Sequence, residues 1–291
     1  MTLTIDDCRY AGDRTFRIAD APTSAHMTKG DRAHFAELTD ENRIVMGELQ
    51  DRLYADGREG LVILLQAMDA AGKDSTIRHV MSGMNPQGID VYGFRQPTAR
   101  ELAHDYLWRA TRCLPERGKI ALFNRSYYED VLVVRVDGLW RGYRMPERCL
   151  DCTEDEFFSR RFGQIRDFEE HLYQNGYRVL KIFLNVGLDE QRKRLLARID
   201  DESKNWKFSA SDLAEREHWD SYMAAYEAAV NATATEHAPW YVVPADQKWH
   251  ARYLVSQAVV NVLRDIDPHY PEVPAGEKDE LAACKARLLE E

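Results

Sequence analysis

The chain has 291 residues, of which 44% are hydrophobic, enough for one large α/β domain with a sizeable core. Its formal net charge of −10 argues against general nucleic-acid binding, although a local group of Lys and Arg side chains can still hold an anionic ligand. The start carries no basic stretch followed by an apolar one, and no apolar run reaches the ~18 residues of a membrane span, so we expect neither a signal peptide nor a membrane protein.

In chain order, residues 1–32 show no strong periodicity and are predicted to form an arm on the surface or on a neighbouring subunit. A helix follows in the segment RIVMGELQDRLYADG and ends at Gly57. Apolar, nearly continuous runs are typical of strands buried on both faces of a parallel sheet. Five such runs are the predicted strands: LVILLQA (61–67), IDVYGF (89–94), KIALFN (119–124), RVLKIFLNV (178–186) and WYVVPA (240–245).

Helical segments separate these strands. Thr98 with Glu101 forms a predicted capping box before LAHDYLWRATRCL, and Thr153 with Glu156 forms another before FFSRRFGQIRDFEEHL. Two apolar stripes occur at helical spacing, the first made of Phe158, Phe162, Ile165 and Leu172 and the second of Trp219, Tyr222, Met223, Tyr226 and Val230. Repeated strand and helix predict a doubly wound α/β fold, followed by a tail over 271–291.

A candidate phosphate-binding loop lies in LQAMDAAGKDST, residues 65–76. The usual pattern is G-x-x-x-x-G-K-[ST], but here Ala67 replaces the first glycine and Asp74 replaces the Ser or Thr. The loop joins a predicted strand to a predicted helix, which is the context that the motif requires. Gly72 permits close approach of the backbone, and Lys73 offers a positive charge to a phosphoryl oxygen. The motif alone also fits an ordinary tight turn.

Two carboxylates flank the Gly-Lys pair and favour the phosphate interpretation. Asp69 and Asp74 would repel a phosphate unless a hard cation, Mg²⁺ above all, lies between them and the ligand. Asp74 also has a simpler explanation as an N-terminal helix cap, which needs the same carboxylate and no metal.

The second cluster is FNRSYYEDVLVVRV, which follows the third predicted strand. Asn124 and Arg125 therefore fall at the carboxyl end of a sheet strand, where ligands bind in such sheets. The guanidinium of Arg125 offers a planar fork of donors that suits a phosphoryl group.

Acidic residues in this cluster have both functional and structural interpretations. Glu129 is a candidate binding residue, but Ser126 with Glu129 also fits another capping box. Asp130 is a candidate too, although Asp130 with Arg135 fits a salt bridge on a helix face.

The third cluster, RIDDESKNWKFSASDLAERE (198–217), is neither a strand nor a regular helix. Its cationic residues, Arg198, Lys204 and Lys207, surround Trp206 and several aspartates. A basic loop that faces a phosphate site is typical of a closing lid in phosphoryl-transfer enzymes. The alternative is a solvated, charged loop.

With all three clusters, the chain resembles the polyphosphate kinase 2 family from about residue 40 to 265. The resemblance rests on LQAMDAAGKDSTIRHVMSGMNPQG, on HDYLWRATRCLPERGKIALFNRSYYEDVLVVRV and on SKNWKFSASDL with the aromatic residues after it. It implies a P-loop kinase fold over 33–270, a three-layer α/β/α domain with a central parallel five-stranded sheet and a helical lid. It also implies Mg²⁺-dependent phosphoryl transfer between inorganic polyphosphate and nucleotides, with Mn²⁺ as the alternative ion.

Site residues follow from the resemblance and the motifs together. The implied catalytic residues are Asp69, Lys73 and Arg125, and the implied metal ligands are Asp69 and Asp74. The implied phosphate- or polyphosphate-binding residues are Gly72, Lys73, Asp74, Arg78, Arg125, Arg198, Lys204 and Lys207. The implied nucleotide-binding residues are Asn124, Glu129 and Asp130.

Many family members have Asp where this chain has Asn124 in NRSYYED, a pattern similar to the subgroup that phosphorylates both AMP and ADP. We therefore expect AMP and ADP as acceptors, with GMP and GDP as further candidates. The odd count of five cysteines favours a reducing cytoplasm, and the resemblance implies a homo-oligomer, either a dimer or a tetramer. Two alternatives remain open: an ATP-dependent nucleotide kinase of the P-loop class and a non-catalytic polyphosphate-binding protein.

Overall fold

Six strands form one sheet in the computed structural model, which describes residues 3–209 and 211–290 without the side chains of Lys207, Ser211 and Ala275. The strands are β1 (Arg9–Tyr10), β2 (Gly60–Gln66), β3 (Ile89–Gly93), β4 (Ile120–Asn124), β5 (Tyr177–Asn185) and β6 (Trp240–Pro244). Their order is β1-β6-β5-β2-β4-β3, and every neighbouring pair is parallel except β1 with β6. The five predicted strands are confirmed, but the five-stranded, wholly parallel sheet is wrong, because β1 adds a two-residue antiparallel edge.

The central strands are covered on both faces. All seven residues of β2 are buried, as its apolar sequence predicts for a strand between two helical layers. In the register of β2 with β4, Leu65 lies opposite Asn124, so the two strands end at the same level. The loop after β2 and the segment after β4 therefore leave the sheet side by side.

Helices alternate with the strands. The α-helices of the described residues are α1 (Asp31–Asp56), α2 (Lys73–Val80), α3 (Ala99–Leu102), α4 (Trp108–Thr111), α5 (Val133–Val136), α6 (Glu147–Leu150), α7 (Glu154–Gln174), α8 (Leu188–Ile199), α9 (Ser211–Glu217), α10 (Trp219–Thr233), α11 (Lys248–Ile266) and α12 (Ala275–Leu289). Short 3₁₀ helices cover Asp6–Cys8, Ile18–Asp20, Pro86–Gly88, Tyr127–Asp130, Leu139–Gly142 and Asn205–Lys207. Helices α1, α2 and α11 pack together, and α7 packs on β5 and on α10.

Both predicted capping boxes occur, at Thr98 and at Thr153, and the apolar stripe of α7 is buried as predicted. The segment after Thr98 is not one long helix, however. Helix α3 makes a single turn, and the Asp105 carboxylate accepts a hydrogen bond from the Leu107 N–H (2.9 Å), which starts a new turn before α4. Helix α1 begins earlier than predicted, and it ends at Gly57, whose φ of 65° suits a glycine.

The N-terminal segment lies on its own chain. Phe16 is fully buried, and the Asn231 side chain on α10 both accepts from its N–H (2.8 Å) and donates to its carbonyl (2.9 Å). Further along, Thr23 donates to Asp246 (2.8 Å) at the end of β6. The N-terminal segment thus packs against α10 and stabilises the connection between β6 and α11.

At the other end of the chain, α12 is exposed along its described length. Within the described residues, none of the helices combines the length and the apolar character that crossing a membrane requires.

Candidate active site

The phosphate-loop candidate has the strand–loop–helix geometry. It runs from the end of β2 to Lys73, the first residue of α2, and Gly72 has a φ of 113°, which disfavours any side chain. Lys73 Nζ bends back and donates to the carbonyls of Ala67 (2.6 Å) and Met68 (3.3 Å). Burial, and next the positive charge of Arg125, lowers the pKa of Lys73 to about 8. The ammonium therefore lies within the loop, where a phosphate would meet it.

Asp74 is not the helix cap, because Gly72 holds that position. Instead, Asp74 Oδ1 accepts a hydrogen bond from Asn124 Nδ2 (2.9 Å). This contact joins the loop to the end of β4, as the parallel register of the two strands allows.

Arg125 stands at the centre of the site. Its φ of 66° is unusual for a residue with a side chain, and its N–H donates to the Leu65 carbonyl (3.0 Å). The guanidinium donates to Asp69 Oδ1 (2.6 Å) and Glu129 Oε2 (3.1 Å). The carboxylate of Glu129 raises the pKa of Arg125, burial opposes that rise, and the carboxylate of Asp69 adds to it. The pairing also shows that Glu129 is not in a capping box with Ser126.

Three carboxyl groups meet across the cleft. Asp69, in the loop, lies close enough to Glu215 and Asp212 of α9 for its charge to affect the pKa of both. Burial, and next the negative charge of Asp69, raises the pKa of Glu215 to about 8 and also raises that of Asp212. Burial alone would raise the pKa of Asp69, but the charges of Lys73 and Arg125 lower it below its ordinary value. The charge of Asp69 thus favours the protonated forms of Asp212 and Glu215.

Sequence reasoning missed Asp212 and Glu215 as site residues, and it missed Arg194 as well. The Arg194 guanidinium on α8 is buried and donates to the carbonyls of Ala71 (2.6 Å) and Ala245 (2.7 Å). Its local partner is Glu190, four residues away (2.8 Å), and that helix pair gives no sign of the distant backbone carbonyls that Arg194 holds. For α9, the sequence SDLAERE did carry a signal, because its acidic residues Asp212 and Glu215 are three residues apart and so lie on one face of a helix.

A cleft of about 780 Å³ collects most of the predicted phosphate-binding residues. It is lined by Asp69, Gly72, Lys73, Asp74, Arg78, Asn124, Arg125, Arg198 and Lys204. Further cations at its wall are Arg95, Arg194 and Lys248. Arg198 pairs with Asp212 (3.1 Å), which links the end of α8 to α9. The side chain of Lys207 lies outside the part of the chain that the structure describes.

Glu129 and Asp130 line a second, smaller cavity of about 320 Å³. Aromatic and apolar side chains form much of its wall, namely Phe94, Tyr106, Tyr143 and Met145. Asp130 is buried against Arg161 (Nε–Oδ2 2.9 Å) and accepts from the Tyr143 hydroxyl, so the predicted Asp130–Arg135 pair is wrong. Arg135 instead pairs with Glu154 and Asp155. Burial raises the pKa of Asp130.

The carboxylate oxygens of the larger cleft suit a hard divalent cation. The negative charge of Asp69 raises the pKa of both Asp212 and Glu215, and Asp74 lines the same cleft as Asp69 and Asp212. In the described part of the chain, no three acidic, His or Cys residues surround one point as a complete metal site. Mg²⁺ commonly binds through one or two carboxylates with phosphate oxygens and waters completing the shell. The donor set therefore fits such an ion together with its phosphate ligand.

A candidate phosphate loop between strand and helix on a largely parallel sheet, with Arg95 and Arg125 after neighbouring strands and cationic side chains of 198–217 across the cleft, is typical of an α/β protein of the phosphoryl-transfer class. A model of the polyphosphate kinase 2 (PPK2) family matches residues 29–271. The chain belongs to this family.

Relatives agree with that assignment over most of the chain. An ADP-polyphosphate phosphotransferase from Rhodopseudomonas palustris is 47% identical over 269 residues, 92% of each chain. An AMP/ADP-polyphosphate phosphotransferase from Meiothermus ruber is 46% identical over 225 residues, 77% of this chain and 79% of that one. The crystal structure of polyphosphate kinase 2 from Arthrobacter aurescens TC1 superposes with a TM-score of 0.87 and 38% identity, covering 100% of this chain and 98% of the other.

Proposed function

We propose that the protein transfers the terminal phosphoryl group of inorganic polyphosphate to ADP and AMP, giving ATP and ADP. Membership of the PPK2 family and the printed activities of its relatives support this function. The observation that carries it is the meeting of Lys73, Arg125 and Asp69 in a cleft rich in cations, in a chain whose net charge is −10. Such a cleft suits a polyanion, and it adjoins a second cavity.

The two substrates would then bind in separate cavities. The extended row of cations suits a flexible chain of phosphates in the larger cleft, whereas the aromatic wall of the smaller cavity suits a nucleobase. Phe94 lines both cavities, so they adjoin, and the Arg125–Glu129 pair lies at their boundary. Donor and acceptor phosphates would meet beside Arg125.

The chemistry needs positioning and charge neutralisation more than covalent help. On binding, the Lys73 ammonium would leave the carbonyls of its own loop and donate to an oxygen of the transferred phosphoryl group. The Arg125 guanidinium would donate two hydrogen bonds to the same group and stabilise the negative charge that develops on it. The acceptor oxygen is already ionised, so no strong general base is required. A divalent ion held by Asp69 and Asp74, Mg²⁺ or alternatively Mn²⁺, would neutralise phosphate charge when bound.

The segment Arg198–Glu217 would act as a lid over the larger cleft. Arg198, Lys204 and Trp206 line that cleft from the side opposite the phosphate loop. Closure would bring the cations of the lid to the polyphosphate and exclude water that competes with the acceptor.

Asn124 supports the choice of both AMP and ADP as acceptors. Its neutral amide donates to Asp74, whereas an aspartate at this position would place a second negative charge against that carboxylate. With asparagine at position 124, the site needs one cation fewer to bind the short acceptor AMP than it would with aspartate. We further propose a homo-oligomer, GMP and GDP as additional acceptors, and the division into an arm (1–32), a kinase domain (33–270) and a tail (271–291).

The test is a donor swap. Pure protein is mixed with long-chain polyphosphate, Mg²⁺ and one of AMP, ADP, GMP or GDP, without added ATP, and the products are resolved by chromatography. We expect ADP and ATP from AMP, and ATP from ADP. Turnover only after addition of ATP would identify an ATP-dependent nucleotide kinase instead, and tight polyphosphate binding without turnover would identify a non-catalytic binding protein.

A further inference from the structure

A buried ion pair lies directly beneath the site. Lys181 is the central residue of β5 and has 0% of its surface exposed, and Glu169 on α7 has 1%. Lys181 Nζ donates to Glu169 Oε2 (2.5 Å), to the Thr233 carbonyl (2.7 Å) and to the Tyr128 hydroxyl (3.3 Å). These contacts use all three donors of the ammonium group.

The second carboxylate oxygen of Glu169 accepts hydrogen bonds from two tyrosines. Glu169 Oε1 accepts from the hydroxyls of Tyr127 (2.8 Å) and Tyr128 (2.9 Å). Burial, and next the charge of Glu169, raises the pKa of both tyrosines well above the ordinary value, so both hydroxyls remain donors. The network of Lys181, Glu169, Tyr127 and Tyr128 is thus closed and fully buried.

Both tyrosines belong to the segment that carries the site. They open the 3₁₀ helix Tyr127–Asp130, which includes Glu129, and Arg125 lies two residues before them with its φ of 66°. A non-glycine residue in that conformation is strained and persists where the surroundings impose it. The network supplies such surroundings on the side of the segment that faces α7.

Gln66 constrains the same segment from the sheet. With its amide oriented to satisfy both neighbours, it donates to Glu129 Oε1 (2.9 Å) and accepts from Ser126 Oγ (2.9 Å). The segment is therefore held at both flanks, by Gln66 at Ser126 and Glu129 and by Glu169 at the two tyrosines.

Stability alone is a weak reason for the ion pair. Desolvating two charges offsets most of their attraction, and replacing a buried pair by apolar residues of similar size is often neutral or stabilising. An apolar core here would leave the Tyr127 hydroxyl without its acceptor and the Tyr128 hydroxyl with Thr233 Oγ1 (2.9 Å) in place of Glu169.

We propose that the Lys181–Glu169 pair is a positioning device for phosphoryl transfer, whose hydrogen bonds to Tyr127 and Tyr128 hold Arg125 and Glu129 in their working geometry. The inference rests on the proposed function for the choice of assay. Glu169 and Lys181 touch no substrate in this scheme and act through the two tyrosines.

Two charge-balanced double variants test the proposal. Lys181→Met with Glu169→Leu removes both charges and the acceptor of the tyrosine hydroxyls. Lys181→Met with Glu169→Gln also removes both charges but keeps a carbonyl acceptor. With ADP and polyphosphate at 25 °C, we expect the Leu variant to lose about 10- to 100-fold in kcat, because a small misplacement of a catalytic group has an effect of that order. The Gln variant should recover most of that turnover.

Val259→Ala on α11 is the matched control for lost stability, since Val259 is buried away from the segment. It should lower the melting temperature and leave kcat as in the wild type. A Leu variant whose turnover behaves like that of this control would overturn the proposal, and so would a Gln variant as impaired as the Leu variant. Should the double variants not fold, Tyr127→Phe with Tyr128→Phe removes only the two hydroxyls and must reproduce the loss.

Calorimetric binding of tripolyphosphate separates this proposal from the proposed function, because it needs no turnover. We expect about 10-fold weaker binding in the Leu variant, in line with a lost hydrogen bond to a charged group. A wild type that binds but does not turn over would refute the proposed function alone. Unchanged affinity in the Leu variant would refute the positioning role alone.

Discussion

The two walls of the larger cleft are held in different ways. The wall made by the phosphate loop and the segment after β4 is fixed by buried contacts, from Gln66 in the sheet to Glu169 behind the tyrosines. Among its described residues, the opposite wall (198–217) is largely exposed: Trp206 keeps 76% of its surface accessible, and Lys204 pairs with Asp201 three residues away. This contrast teaches that buried contacts preorganise the first wall, whereas local surface contacts hold the second, as the proposed lid role requires.

Lys73→Ala is the strongest way to break the fixed wall. We expect kcat with ADP and polyphosphate to fall by roughly 10³-fold, as for other preorganised donors to a developing charge. The fold should survive, because the side chain bonds only to carbonyls of its own loop among the described contacts. Steady-state kinetics and circular dichroism measure the two effects.

Lys119→Ala is the control for that experiment, since Lys119 pairs with Glu116 on the surface. It removes the same charge and should leave turnover unchanged. Near-normal activity of Lys73→Ala would refute the role assigned to the loop.

Arg125→Lys sharpens the comparison, because it keeps the charge and removes the fork. Arg125 reaches Asp69 and Glu129 with separate nitrogens, which an ammonium at the end of a flexible chain cannot reproduce. We expect kcat to fall by about 100-fold, with a smaller change in the KM for polyphosphate. A variant with wild-type kcat would mean that charge alone suffices at this position.

Local signals account for what sequence predicted well. The five parallel strands follow from apolar runs, of which four are largely buried and the edge strand β3 is partly exposed. The boxes at Thr98 and Thr153 follow from spacings of three residues. The two residues of β1 carry no such pattern, because their pairing with β6 depends on where the N-terminal segment packs.

The same limit applies to the site. The phosphate loop is a local motif, whereas Arg194 and Glu215 each interact with a residue of that loop that lies far away in the sequence. Lys181 could have been noticed, because a lysine at the centre of the buried run RVLKIFLNV needs a charged partner. Its partner Glu169, however, lies on a separate helix and emerges only from tertiary packing.

Lys204→Ala tests the exposed wall and should have a small effect. Lys204 is exposed and lines the cleft, so its contribution to an anionic ligand is screened by water and salt. We expect the KM for polyphosphate to rise about threefold at low salt, with kcat within about twofold, in line with the modest worth of exposed charge pairs. Lys193→Ala, an exposed lysine on α8 away from the cleft lining, is the matched control and should change neither value. A 100-fold loss of kcat in Lys204→Ala would mean that this wall also contributes to phosphoryl transfer, and would contradict the difference between the two walls.

Of these variants, His250→Leu should have the smallest effect on turnover and the largest effect on stability at acid pH. His250 is buried on α11 two residues after the cleft-lining Lys248, and within the described part of the chain neither ring nitrogen has a hydrogen-bond partner. Burial lowers the pKa of His250 from 6.5 to about 4. Between these values the unfolded chain binds the proton and the folded chain does not, so the free energy of unfolding of the wild type must decrease as the pH falls from 6.5 to 4.

Leucine has no proton to bind, so the variant should lose less stability over the same range, by at most about 3 kcal/mol. Urea unfolding of both proteins at pH 7 and pH 4.5 measures the difference, and turnover at pH 7 should match. Equal acid sensitivity of the two proteins would mean that His250 reaches water or a partner on protonation.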